Sequence, residues 1–200
     1  MAWEDEQKWE QNWWGNYINS YGEQTKQREY APLMGLEELR DARYYFYYDL
    51  EGASVLDIGC GPVSLLLKCI NFRRAVAIDP TELPVYVKER YKAAGIDYYQ
   101  IKGEDSYEEL EQPSFDEVWI YNVLQHVDDP EKICANARKM GKIIRVFEWL
   151  EIGVAPGHPH NLLQHKLDKW FGGKGKVAPH SRGRKYYGIF LGDNYNGYSL

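Results

Sequence analysis

From residue 51 onward, short apolar runs alternate with longer amphipathic stretches. "SVLDIG", "RAVAID" (Arg74 to Asp79), "YYQIKG", "FDEVWIYNVL" (Phe115 to Leu124) and "KIIRVFEWL" (Lys142 to Leu150) read as buried strands. Between them, Val63 to Ile70, Pro84 to about Ala94 and "DPEKICANARKM" read as helices. Pro84 and Pro130 stand where helix starts tolerate proline, and Gly95 and Gly141 follow helix ends. Strands alternating with helices predict a doubly wound, mostly parallel sheet in an α/β fold. "HNLLQHKLDKWF" predicts one more helix, and "GKVAPHSR" and "KYYGIFLG" predict two closing strands, making a seven-stranded sheet. "DNYNGYSL" reads as a loose tail.

Residues 1 to 50 lack strand alternation. Trp9 and Trp13 fall four apart, and "GLEELRDARYYFYYDL" carries good helix formers, so this region predicts an N-terminal helical cap. No repeat or linker interrupts the chain. One domain is expected over 1–200, with a cap or lid over 1–50, a core over 51–150 and a closing region over 151–200.

Hydrophobic residues at 44% and charged ones at 27% describe a globular chain rather than a disordered one. No apolar run approaches the roughly 20 residues of a membrane helix. "MAWEDEQKWEQNWW" is acidic and aromatic, unlike a secretory or transit peptide, so the cytoplasm is the expected compartment. Cys60, Cys69 and Cys134 form no CxxC pair, which argues against a disulfide framework and a zinc cluster. The net charge of −6 disfavours a long nucleic-acid partner. Lys166, Lys169, Lys174, Lys176, Arg182, Arg184 and Lys185 nevertheless cluster against Asp168 alone, as a solvated hairpin or as a patch for an anionic substrate.

In "SVLDIGCGPVS" a strand runs into a glycine turn that opens a helix-compatible segment, a nucleotide-binding geometry. Gly59, Gly61 and Ser64 half-match the dinucleotide fingerprint. Asp57, two positions before the first glycine, separates the readings. A carboxylate there repels a pyrophosphate and welcomes a cationic amino group, which points to S-adenosylmethionine. The second strand ends in Asp79, at the usual distance for an acid that binds ribose hydroxyls.

"VLDIGCG", "AIDP", "IKGED" and "FDEVWIYNVLQHVDDPEKI" follow in order. From Ser54 to Trp149 the chain thereby resembles the class I, Rossmann-like S-adenosylmethionine-dependent methyltransferases, in their small-molecule branch. The resemblance implies that Asp57, Gly59 and Gly61 hold the methionine end of the cofactor and Asp79 the ribose, with Glu104 or Asp105 at the adenine and Asn122 beside the sulfonium. Ile58, Cys60 and Pro80 are further cofactor-binding candidates. Val63 departs from the third glycine of many members.

The strand four end, "NVLQ", lacks the Pro-Pro-aromatic turn of exocyclic-amine DNA methylases, and no Pro-Cys nucleophile is present. His126, in "VLQHV", is a candidate base or acceptor-positioning group, and Glu148 a candidate for holding an acceptor hydroxyl. His158 and His160 follow strand five, where the resemblance implies an acceptor pocket; their spacing matches no zinc pattern, so no metal is expected. Trp14, Tyr17 and Tyr21 are candidates for a lid that stacks on a ring of the acceptor. These features suggest a small polar acceptor, such as a sugar or nucleotide-linked metabolite, methylated on oxygen or nitrogen. RNA methylation and a non-catalytic S-adenosylmethionine-binding protein stay open. The methylated atom and the oligomeric state have no signature in the sequence.

Overall fold

A computed structural model describes Asp5, Lys8, Asn12, Trp14 and residues 19–40, 46–180 and 183–195. Helix α1 (Asn19–Leu33) leads into two short strands, β1 (Leu39–Arg40) and β2 (Phe46–Asp49). The main sheet is built from β3 (Ser54–Ile58), β5 (Arg74–Ile78), β6 (Ile96–Tyr99), β7 (Phe115–Tyr121), β8 (Gly141–Leu150), β9 (Lys176–His180) and β10 (Gly183–Leu191). Its order is β6-β5-β3-β7-β8-β10-β9. The first five strands run parallel, and β10 returns antiparallel between β8 and β9. The expected seven-stranded, doubly wound α/β sheet is present.

Alternation along each strand fills both faces. Leu56, Ile58, Val118 and Ile120 pack under α4 (Pro130–Met140) and α5 (Gln164–Phe171). Val55, Ala77, Trp119 and Phe147 pack under α1 and α2 (Val85–Ala93). Tyr30 of α1 stacks on Phe147 with ring centroids 3.9 Å apart. Gly35, at φ +80°, ends α1, and Arg145 donates to the carbonyls of Met34 and Gly35 while its other nitrogens hold Glu117. That clamp fixes α1 against the sheet.

Three expectations need correction. The cap is not wholly helical: the aromatic run at Phe46–Asp49 becomes β2, which pairs with β4 (Cys69–Ile70) and β1 in a small second sheet. The helix expected from Val63 to Ile70 is only a 3-10 turn at Leu65–Lys68, because β2 draws Cys69 and Ile70 into strand pairing. The amides of Ser64 and Leu65 are meanwhile taken by the hydroxyls of Tyr91 and Tyr121. Finally, β6 begins at Ile96, and "GED" forms a 3-10 turn (Gly103–Asp105) before the short helix α3 (Ser106–Glu109). The three cysteines are buried and free. No described helix is long and apolar enough to cross a membrane.

Candidate active site

The carboxyl ends of β3, β5 and β7 surround a cleft of about 670 Å³. Its floor is the turn after β3. Gly59 (φ +72°) and Gly61 (φ +53°) both occupy the left-handed region that favours glycine. A Cβ on Gly59 would stand 2.6 Å from Val123, so this position admits no side chain. The Gly59 and Cys60 amides donate to Ile78 O at 2.8 and 3.1 Å. The Tyr91 hydroxyl donates to Gly61 O at 2.8 Å, and Arg90 donates to Pro62 O. The turn is therefore rigid before any ligand arrives.

Asp79 reaches over this turn from the end of β5. Its Oδ2 accepts the Gly61 N–H at 2.8 Å and its Oδ1 the Thr81 N–H at 2.9 Å. Pro80, Thr81 and Cys60 join it in the cleft wall. Asp57 lies beneath the turn, fully buried, where its Oδ2 accepts from Ser64 Oγ at 2.5 Å and Tyr121 OH at 3.4 Å. Its Oδ1 is buried with no hydrogen-bond partner. Burial pushes its pKa up to about 7, with the nearby Asp79 charge adding to the rise. Ile58, also buried, borders a second cavity of about 320 Å³ that shares Gly59, Pro80, Val123 and His126 with the first.

The segment after β7 forms the opposite wall. Asn122 takes a left-handed φ of +59° and is tied by its N–H to Phe147 O at 2.8 Å. The His126 ring lines both cavities and sits 4.6 Å from the His158 ring. His160 Nε2 is 2.7 Å from Val127 O, so it fastens the loop after β8 to this segment and does not line the cleft.

Several candidates are placed differently from expectation. Glu148 does not reach the cleft. It is fully buried at the end of β8, where its Oε1 accepts the N–H groups of Val123 and Leu124, each at 2.9 Å. The reason is strand register: Glu148 falls on an inward position and serves the neighbouring loop. Glu104 borders the second cavity, but its Oε1 accepts the amides of Asp128 and Asp129 at 3.0 and 3.1 Å. Asp105 turns away to Lys132 at 3.3 Å. Of the basic cluster, Arg184 pairs with Glu151, Lys185 with Glu29 and Lys169 with Glu131. Trp14 lines the cleft, and a Cβ on Gly61 would stand 3.6 Å from its indole. Trp9, Trp13, Tyr17 and Arg182 lie outside the described residues, as does the side chain of Tyr21.

Glu23, on α1, also lines the cleft, where it pairs with Lys26 at 3.0 Å. Sequence reasoning missed it. The signal was a helical stripe of Glu23, Gln27, Tyr30 and Met34, in which the first two positions are polar. Gln27 is buried and donates to Val63 O at 2.5 Å. Among the described residues, none lining the cleft is a lysine or arginine, whereas Glu23 and Asp79 are both carboxylates. No cluster of metal-binding side chains occurs among the described residues.

A methyltransferase-domain family model matches residues 56–143, the stretch that carries this cleft. The ubiquinone biosynthesis O-methyltransferase of Pseudomonas syringae pv. tomato is 31% identical over 122 residues, 58% of this chain and 52% of that protein. The chain thus spans about half the length of the curated relatives it matches. Among solved structures, the N-methyltransferase NodS of Bradyrhizobium japonicum, crystallised with S-adenosyl-L-homocysteine, aligns with a TM-score of 0.52 at 13% identity, covering 71% of this chain and 79% of NodS. Magnesium protoporphyrin IX methyltransferase of Synechocystis, crystallised with S-adenosylmethionine, aligns with a TM-score of 0.52 at 14% identity over 72% of each chain. The strand order, the motif-bearing loops and the matched core together give this chain the Rossmann-like fold of the class I S-adenosylmethionine-dependent methyltransferases and make it similar to them over residues 56–143.

Proposed function

We propose that this protein transfers the methyl group of S-adenosylmethionine to a hydroxyl of a small-molecule acceptor. The observation that carries this reading is Asp79 clamped on the Gly61 amide. The N–H that a phosphate would need is already given to a carboxylate. With Glu23 opposite and no lysine or arginine among the described lining residues, the cleft suits an ammonium and a sulfonium and opposes a pyrophosphate. The orphaned Oδ1 of Asp57 under the same turn adds to the demand for a donor.

When bound, the cofactor supplies an already activated methyl group. The chain's residues then have to bind, orient and keep out water. In this reading Asp79 and Pro80 hold the ribose, the Gly59–Gly61 turn carries the methionine end, and Asn122 borders the sulfonium. Glu104 and Ile58 line the place for the adenine. Trp14 covers the turn, and His158 backs the His126 ring on the acceptor side. As a methyl–oxygen bond forms and the methyl–sulfur bond breaks, the acceptor hydroxyl loses its proton, and His126 on the cleft wall can receive it at Nε2 in exchange for the hydrogen bond that Gln125 gives there. Oxygen rather than nitrogen as the target is supported by the names of the curated relatives. A cytoplasmic setting is supported by three buried free thiols.

Titration calorimetry with S-adenosylmethionine and with NAD tests the cofactor, and heat with NAD alone would sink the reading. Incubation with methyl-labelled cofactor and a panel of phenols and polyols tests the reaction. Binding without transfer to any hydroxyl would leave a non-catalytic binding protein.

A further inference from the structure

We propose that Gln125 is a positioning residue whose single amide nitrogen orders both Asn122 and His126. This inference deepens the proposed function and rests on it for the catalytic meaning, but the geometry stands alone. Gln125 is 1% exposed. Its Nε2 is 3.0 Å from Asn122 Oδ1 and 3.1 Å from His126 Nε2.

The chemistry of the partners fixes the direction of each bond. His126 Nδ1 lies 2.5 Å from the carbonyl of Gly157, which can only accept. Nδ1 therefore carries the proton of the neutral ring, and Nε2 holds a lone pair. Gln125 must then present its NH2 group to Nε2, with the second hydrogen on Asn122 Oδ1. The arrangement leaves Gln125 Oε1 buried with no hydrogen-bond partner. An orphaned buried acceptor is costly, so the amide is held this way by two partners on the cleft wall.

The same geometry makes the two side chains respond together. A proton added at His126 Nε2 turns that atom into a donor, and the Gln125 NH2 group can no longer face it. Half a turn of the amide brings the orphaned Oε1 to the imidazolium. Oε1 then also faces Asn122 Oδ1, so the Asn122 amide turns in its place and offers Nδ2. Taking up a proton at His126 thereby reverses the face that Asn122 presents to the cleft. Other charged and titratable groups near the ring are His158 on the loop after β8, Asp79 and Glu23 across the cleft, and Lys102 and Glu104 on the segment after β6.

The test is an NMR titration of the ligand-free wild-type protein. Its ring nitrogen shifts should report the Nδ1–H tautomer, and the Asn122 side-chain amide should move with the same midpoint as His126. Q125E puts a carboxylate at Nε2 and should raise the His126 midpoint by about 1 pH unit or more, as an opposite charge at this distance does. Q125L should leave Asn122 indifferent to His126. In turnover, Q125L should lower kcat with little change in cofactor KM, and Q125E should move the pH profile with the His126 midpoint. An Nε2–H tautomer in the wild type, or an Asn122 amide that ignores the His126 titration, overturns the proposal without touching the cofactor reading. Failure of S-adenosylmethionine to bind would overturn the function while leaving this coupling in place.

Discussion

Replacing Glu148 with glutamine isolates the cost of ionising a carboxyl under the site. The Glu148 side chain is fully buried, and no cation is among the groups that act on it. Burial pushes its pKa from the ordinary 4.5 up to about 8, against the opposing pull of the Leu124 and Val123 amides. Between those two values the folded protein keeps a proton that the unfolded chain has lost. Stability therefore falls as pH rises through this window and levels off above it. A separation of about 3.5 pH units at roughly 1.36 kcal/mol each sets a ceiling near 5 kcal/mol. Relaxation and water entry should reduce it to about 2 to 4 kcal/mol. Glutamine keeps the oxygen that receives both amides, mimics the protonated acid and cannot ionise. Urea unfolding of wild type and E148Q should agree within about 1 kcal/mol near pH 5 and diverge to about 2 to 4 kcal/mol in favour of E148Q near pH 9. Asp57, raised to about 7, adds a dependence of the same sign to both proteins and cancels in the difference. Parallel stability curves across this range would refute the reasoning.

D79N should lower both folding stability and S-adenosylmethionine affinity, each by about 1 to 3 kcal/mol, because its NH2 group must face one of two backbone donors; calorimetry that finds either unchanged would separate fold from binding. G59A should destabilise by about 1 to 3 kcal/mol through the Val123 clash and the left-handed backbone, read as a shifted urea midpoint. N122G should change stability by less than about 1 kcal/mol, since glycine accepts the same backbone, yet lower turnover measurably. H126A should cut turnover by about 10²- to 10⁴-fold with cofactor affinity intact, and full activity at every pH would remove the histidine from catalysis.

Much of the fold was legible in the sequence because its signals are local. Val55, Leu56 and Ile58 announce a buried strand, and Asp79 ends the next one within the distance a ribose acid keeps. What was not legible depends on distant partners. Nothing near Cys69 says that Phe46–Asp49 will claim it as a strand neighbour, so a helix seemed the better reading. Glu23 and Gln27 look like solvent positions until Val63 and the cleft are placed against α1. For Glu148 and Asp105 the residue type was right for chemistry, but side-chain direction was not available from spacing alone.

The acids of this core act as staples before they act on any ligand. Asp79, at the end of β5, holds the amide of Gly61 after β3. Glu148, at the end of β8, holds those of Val123 and Leu124 after β7. Glu104, after β6, holds those of Asp128 and Asp129 in the segment that leads into α4. Each carboxyl thus reaches a loop carried by another strand, where the ends of parallel strands leave backbone donors without sheet partners. Such cross-bracing is worth most in an enzyme whose donor is already activated, because its rate depends on holding two reactants in line rather than on supplying chemistry. It also explains why motif reading assigns these residues to ligand contact. An acid at a strand end is needed there either way, and Asp79 and Glu104 combine both positions, each with its carboxylate on a neighbouring loop and its side chain in a cavity wall.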